Sequence, residues 1–157
     1  MEGFNSADKQ NFFTTLNIIF MALTIGQLIF FGVTFFIASQ DSIQKNLDLD
    51  SILLYLSPAY SISMIFLSKF LYNKNSLSVD KTLDVKSKFM RYRTASIVNW
   101  AMLESANLFS LVSFLITGNY IHLLIFAGVF AGFILNRPSK EKFITDYNVN
   151  SDEINNL

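Results

Sequence analysis

Glu104 is the single charged residue in the apolar stretch SIVNWAMLESANLFSLVSF. On an α-helix, Asn107 lies one turn beyond it and Trp100 one turn before it. A carboxyl so placed has three chemistries open to it: carrying a proton or cation, pairing with a cation from elsewhere, or donating one hydrogen bond when protonated. Burying the ionised form at mid-membrane costs on the order of several kcal/mol, so the neutral acid is the expected resting form. No Lys, Arg or His stands at comparable depth in another apolar stretch, so the carboxyl has no opposite charge to meet within this chain.

Other polar residues fall at helical spacing around it. Asn99, Ala106, Ser110, Ser113 and Thr117 form a small and polar stripe on the same stretch, with Asn107 at its edge. The first apolar stretch offers Asn17, Thr24 and Gln27, and depth favours Asn17 or Thr24 as partners for Glu104. The second supplies Tyr60, Ser61 and Ser63. A bundle with a polar seam follows, because lipid tolerates such faces poorly.

Enzyme chemistry finds little support. There is no cysteine, hence no thiolate nucleophile, disulfide framework or iron–sulfur site. No Ser/His/Asp set, metal-ligand cluster or phosphate-cradling glycine loop is present, so neither catalytic residues nor a cofactor or metal is expected. The only histidine, His122, follows Tyr120 and reads as an interfacial anchor. Asp41, Asp48 and Asp50 lack the spacing of a calcium loop and read as a solvated turn.

The elements that must position these groups are set by composition. Of 157 residues, 52% are hydrophobic and 15% charged, 17 are Phe, and the mean hydropathy is +0.38, which is not the balance of a soluble domain. Four stretches are long and apolar enough to cross about 30 Å of hydrocarbon: residues 12–38, 52–70, 95–117 and a shorter 120–135. The first is much longer than a signal-peptide core and its leader carries acidic residues, so it is expected to be retained as a helix. The fold class expected is all-α: a single four-helix transmembrane domain over residues 1–157, with short amphipathic helices outside the membrane.

Basic residues assign the sides. Lys69, Lys74, Lys81, Lys86, Lys88, Arg91 and Arg93 cluster at and after the end of the second stretch, and Arg137, Lys140 and Lys142 follow the fourth. The connection SQDSIQKNLDLDS has three aspartates and one lysine. Both termini, the 71–94 loop and the 136–157 tail are therefore expected in the cytoplasm, and the membrane is expected to be a bacterial inner membrane. The balance of twelve basic and twelve acidic residues gives no argument for nucleic acid.

Within the basic loop, Val79, Leu83 and Met90 suggest one face of a helix running into the third span, its cations meeting anionic headgroups. In the tail, Ser139 is placed to cap a short helix carrying Phe143 and Tyr147 as an i,i+4 pair, and Ser151 with Asp152 and Glu153 suggests another start. That tail is expected to dock on a partner or lie on the membrane. Gly128 and Gly132, flanked by Ala127 and Ala131, offer a small face for close helix approach, expected within the bundle.

YRTASIVNWAMLESANLFSLVSFLITGN, followed by a short helix and NRPSKEKF, resembles a family of small bacterial four-span proteins to which no activity is attached. The likeness covers about residues 92–143 and implies the architecture alone. LESANLF also resembles the ion-carrying helix of rotary ATPase proteolipids over barely ten residues. The chain lacks their glycine-rich inner helix and two-fold repeat, so their function does not carry over. The function expected is a small non-enzymatic subunit or accessory factor of a larger membrane complex, with lipids and other membrane subunits as partners. The alternative is a proton- or cation-coupled transport component using Glu104.

Overall fold

The computed structural model describes residues 6–40, 47–77 and 83–149, and every regular element among them is an α-helix. In chain order these are α1 (Ser6–Ala38), α2 (Leu47–Leu77), α3 (Val85–Thr117), α4 (Ile121–Leu135) and α5 (Lys140–Tyr147). Three are long and apolar enough to cross a membrane, or four if α4 and α5, bent by 77° at their break, count as one span.

The long helices overrun the apolar stretches. α1 and α3 have 33 residues and α2 has 31, which at 1.5 Å per residue is roughly 45–50 Å against a hydrocarbon core of about 30 Å. The 71–94 segment is therefore mostly helix rather than loop: α2 continues to Leu77 and α3 starts at Val85. Hydropathy marks where lipid begins, whereas backbone hydrogen bonding continues wherever side-chain packing supports it. The face buried at the start of α3 is also not the expected one. Phe89, Tyr92 and Ala95 are buried, Met90 is exposed, and Val79 lies outside the described residues.

α3 is the central helix. α1 runs parallel beside it, as Phe13 against Phe89, Phe20 against Trp100 and Phe35 against Phe114 show at nearly constant offset. α2 runs antiparallel, with Ser61 facing Ser110 and Asp50 facing Asn119. α4 folds back along α3 after a turn in which Gly118 adopts φ 67° and donates its N–H to the Phe114 carbonyl at 2.7 Å, a left-handed closure that suits glycine. Phe133 and Phe126 of α4 stack on Phe20 and Phe31 of α1. α1 and α2 both pack on α3 but share no extensive contact with each other.

Burial is inverted relative to a water-soluble bundle. Gln27, Asn107, Ser57, Ser110 and His122 are fully buried, while Phe36, Phe66, Leu124 and Leu135 are 65%, 72%, 72% and 84% exposed. Large apolar side chains outside and polar ones inside are what hydrocarbon solvent selects.

The tail packs on its own bundle. Ser139 caps α5 by accepting the Lys142 N–H at 3.1 Å, and Phe143 stacks on Phe89 with ring centroids 4.1 Å apart. Phe143, Tyr147 and Val149 are buried in one cluster with Phe13, Phe89 and Tyr92. Tyr72 donates to Asp146 Oδ2 at 2.7 Å and Ser76 to the Asp146 carbonyl at 2.8 Å, tying α5 to α2. The apolar face of α5 is thus covered by the bundle itself, so Phe143 and Tyr147 are not presented to a partner or to the membrane surface. Ser151, Asp152 and Glu153 lie outside the described residues.

Candidate functional site

The interior of the bundle between α5 and the α3–α4 turn holds a polar seam. Its centre is the Asn107 side chain, which donates from Nδ2 to Gln27 Oε1 at 2.6 Å. Both residues are fully buried, and the remaining halves of the two amides, Gln27 Nε2 and Asn107 Oδ1, have no hydrogen-bond partner. Toward the turn, Ser61 and Ser110 approach at 3.5 Å. Ser113 and Thr117 satisfy themselves on carbonyls one turn back in their own helix, at 2.8 Å each. Asn119 Nδ2 closes the end by donating to the Asp50 carboxylate at 3.1 and 3.3 Å.

Glu104 sits beside this seam rather than in it. It is half-buried on a flank of α3, and no hydrogen bond or ion pair reaches its carboxyl among the described residues. Asn107 turns away from it to Gln27. Tyr60 approaches α3 nearby but donates to Ser105 Oγ, at 3.4 Å. The partners favoured by depth are not available either: Asn17 is exposed on the outer face of α1, and Thr24 donates to the Phe20 carbonyl at 2.8 Å. Gln27, the residue ranked lowest, is the one that faces α3. Asn99 is buried on α3.

Other expectations change as well. His122 is fully buried, not an interfacial anchor, and neither ring nitrogen has a partner. His122, Phe126, Val129 and Phe133 recur on one face of α4, a helical spacing legible in the sequence that would have placed the histidine inward. Asp50 is a clasp on Asn119 rather than part of a solvated turn; nothing in local sequence signals a pairing across 69 residues.

The small face of α4 is not used inside the bundle. Ala127, Gly128 and Ala131 are exposed and Gly132 is half-buried. A Cβ at either glycine would meet nothing within 4 Å.

The basic surface is reduced as well. Lys86, Arg91, Arg93, Arg137 and Lys140 are exposed, but Lys88 is buried, because it shares the inward face of α3 with Phe89 and Tyr92. Lys81 lies outside the described residues. Lys142 sits 4.5 Å over the Tyr72 ring and donates to Asn136 Oδ1 at 3.3 Å. Burial pushes its ammonium below the usual lysine range, while Asp146 acts in the opposite sense. Among the described residues no group of three or more His, Cys, Asp or Glu stands ready to hold a metal.

Compared with protein-family models, curated proteins and solved structures, the chain matches none.

Proposed function

We propose that this chain is a small non-enzymatic membrane subunit that joins a larger bacterial inner-membrane complex through the flank of α3 carrying Glu104. It crosses the membrane four times, and both termini stand on the cytoplasmic side, where the basic residues gather. The observation that carries the reading is the carboxyl itself. A carboxyl left to lipid is costly, and no group among the described residues takes its hydrogen bond. α1 and α2 both pack on α3 but share no extensive contact, and Ala101, one turn before the half-buried Glu104, is exposed, so a helix from a second protein can bring a donor or a cation to Glu104.

The test is positional. A photo-crosslinking residue at Ala101, exposed on α3 near Glu104, should trap one recurring membrane protein, and the adduct should weaken in Glu104→Leu. The same residue placed at Ala127 should not trap that protein. Repeated purification of the chain alone, without adducts at position 101, would end the proposal.

A second reading, proton- or cation-coupled transport through Glu104, draws on the polar seam from Asp50 and Asn119 to Gln27 and Asn107. It predicts that Glu104→Gln abolishes a proton- or sodium-driven flux in proteoliposomes. An unchanged flux in that variant excludes it.

A further inference from the structure

A cavity of about 200 Å³ opens between α2 and α4 at the end of the bundle nearer α5. Leu103 forms part of its floor, Ile65 and Leu135 part of its walls, and Gly128 and Gly132 leave one side without side chains. Lys69 stands in its lining, exposed, and no carboxylate among the described residues pairs with it. This groove is on a different side of α3 from Glu104 and is argued independently of it.

The shape and the charge select an occupant. The groove is narrow and apolar along Leu103, Val129 and the two glycines, a shape that a single acyl chain can follow. Every outer helix face in a bilayer meets acyl chains, but an apolar groove with an unpaired cation in its lining favours a chain whose headgroup is an anion, which Lys69 reaches along its flexible stem. The other polar groups in the lining do not compete for that charge. Ser68 donates to the Ile65 carbonyl at 2.9 Å, and Asn136 is engaged by Trp100, Gly132 and Lys142.

We propose that the α2–α4 groove binds an anionic phospholipid, with its phosphate at Lys69 and one acyl chain lying along Gly128 and Gly132.

The glycines give a test that spares the fold. Nothing lies within 4 Å of an added Cβ at either position, and Leu is the better helix former by about 1 kcal/mol, so the side chains of Gly128→Leu/Gly132→Leu start in open space and extend from the groove's glycine side. Full-length protein in mild detergent is titrated with phosphatidylglycerol and with phosphatidylcholine of the same acyl chains, and bound lipid is read by native mass spectrometry. Wild type should prefer phosphatidylglycerol. Lys69→Gln should weaken that lipid about fivefold, the order expected for one interfacial cation, and leave phosphatidylcholine unchanged. The double leucine variant should lose the preference. Lys74→Gln, an exposed lysine outside the groove, should keep it. Equal affinity for the two lipids in wild type, equal losses in Lys69→Gln and Lys74→Gln, or retained preference in the leucine variant would each overturn the assignment.

Discussion

Asn107 on α3 donates to Gln27 on α1 at 2.6 Å, and both side chains are fully buried. Around it, Phe20 meets Trp100 one level away and Phe35 meets Phe114 on the other side. The amide pair therefore sets the register of two parallel helices whose other contacts are aromatic and aliphatic and tolerant of sliding.

The pair should behave as a unit. Asn107→Leu or Gln27→Leu alone leaves an amide buried without a partner and should cost about 1–3 kcal/mol. The double variant should recover part of that loss, with a coupling near 0.6 kcal/mol or above. Reversible unfolding in mixed detergent micelles measures all three, and strictly additive losses would show that the two amides do not depend on each other.

Trp100, the only tryptophan, is 1% exposed and donates to the Asn136 carbonyl at 2.8 Å, joining α3 to the end of α4. Its emission should be blue-shifted and resistant to iodide. Trp100→Phe keeps a ring against Phe20 and should cost about 1 kcal/mol for the lost hydrogen bond. A cost of 3 kcal/mol or more, typical of aromatic-to-alanine changes, would mean that indole packing outweighs the bond.

Docking of α5 depends on Phe143, which has no exposed surface and touches the rings of Phe13, Phe89, Tyr92 and Tyr147. Phe143→Ala should remove about 3 kcal/mol from that docking, releasing the segment while the bundle remains. Protease cleavage between Arg137 and Val149 should then accelerate at least tenfold, with far-ultraviolet dichroism nearly unchanged. Wild-type cleavage kinetics would place the holding energy elsewhere.

Alkaline pH should loosen the same contact. Burial, aided by the charge of Asp146 and by Tyr92, holds the Tyr147 phenol up at about 12, against about 10 for an unfolded tyrosine. A raised value in the folded state means that this contribution to stability is complete below pH 10 and is lost as pH rises through about 12. Tyr147→Phe should flatten the stability profile between those limits, and Asp146→Asn should move phenolate absorbance to lower pH. A profile unaltered by Tyr147→Phe would exclude the linkage.

The proposed topology has a direct check. A cytoplasm-dependent reporter fused after the tail should be active, and one inserted at 41–46 should be inactive, since the basic residues lie on the tail side. The reverse pattern would overturn the charge-based orientation.

Helix class was legible in the residues themselves. Apolar runs near 20 residues admit one structure in hydrocarbon, because every backbone group must bond within its own segment. TGNY after the third run left α4 no course but back along α3, and Ser139 announced the start of α5. The polar stripe on α3 was legible for the same reason: helical periodicity places Asn107, Ser110 and Thr117 on one side wherever that side points.

Pairing was not legible. Nothing local says that Asn107 takes Gln27 and leaves Glu104 alone, because the choice depends on the rotation of α1 about its axis, which its aromatic contacts decide. Nothing local distinguishes an inward glycine face from an outward one, since Gly128 and Gly132 serve both equally. Chemical type and periodicity along one helix belong to the chain alone. Which faces meet is settled only when all helices pack at once, so the open carboxyl of Glu104 and the groove beside Lys69 emerge with the tertiary structure.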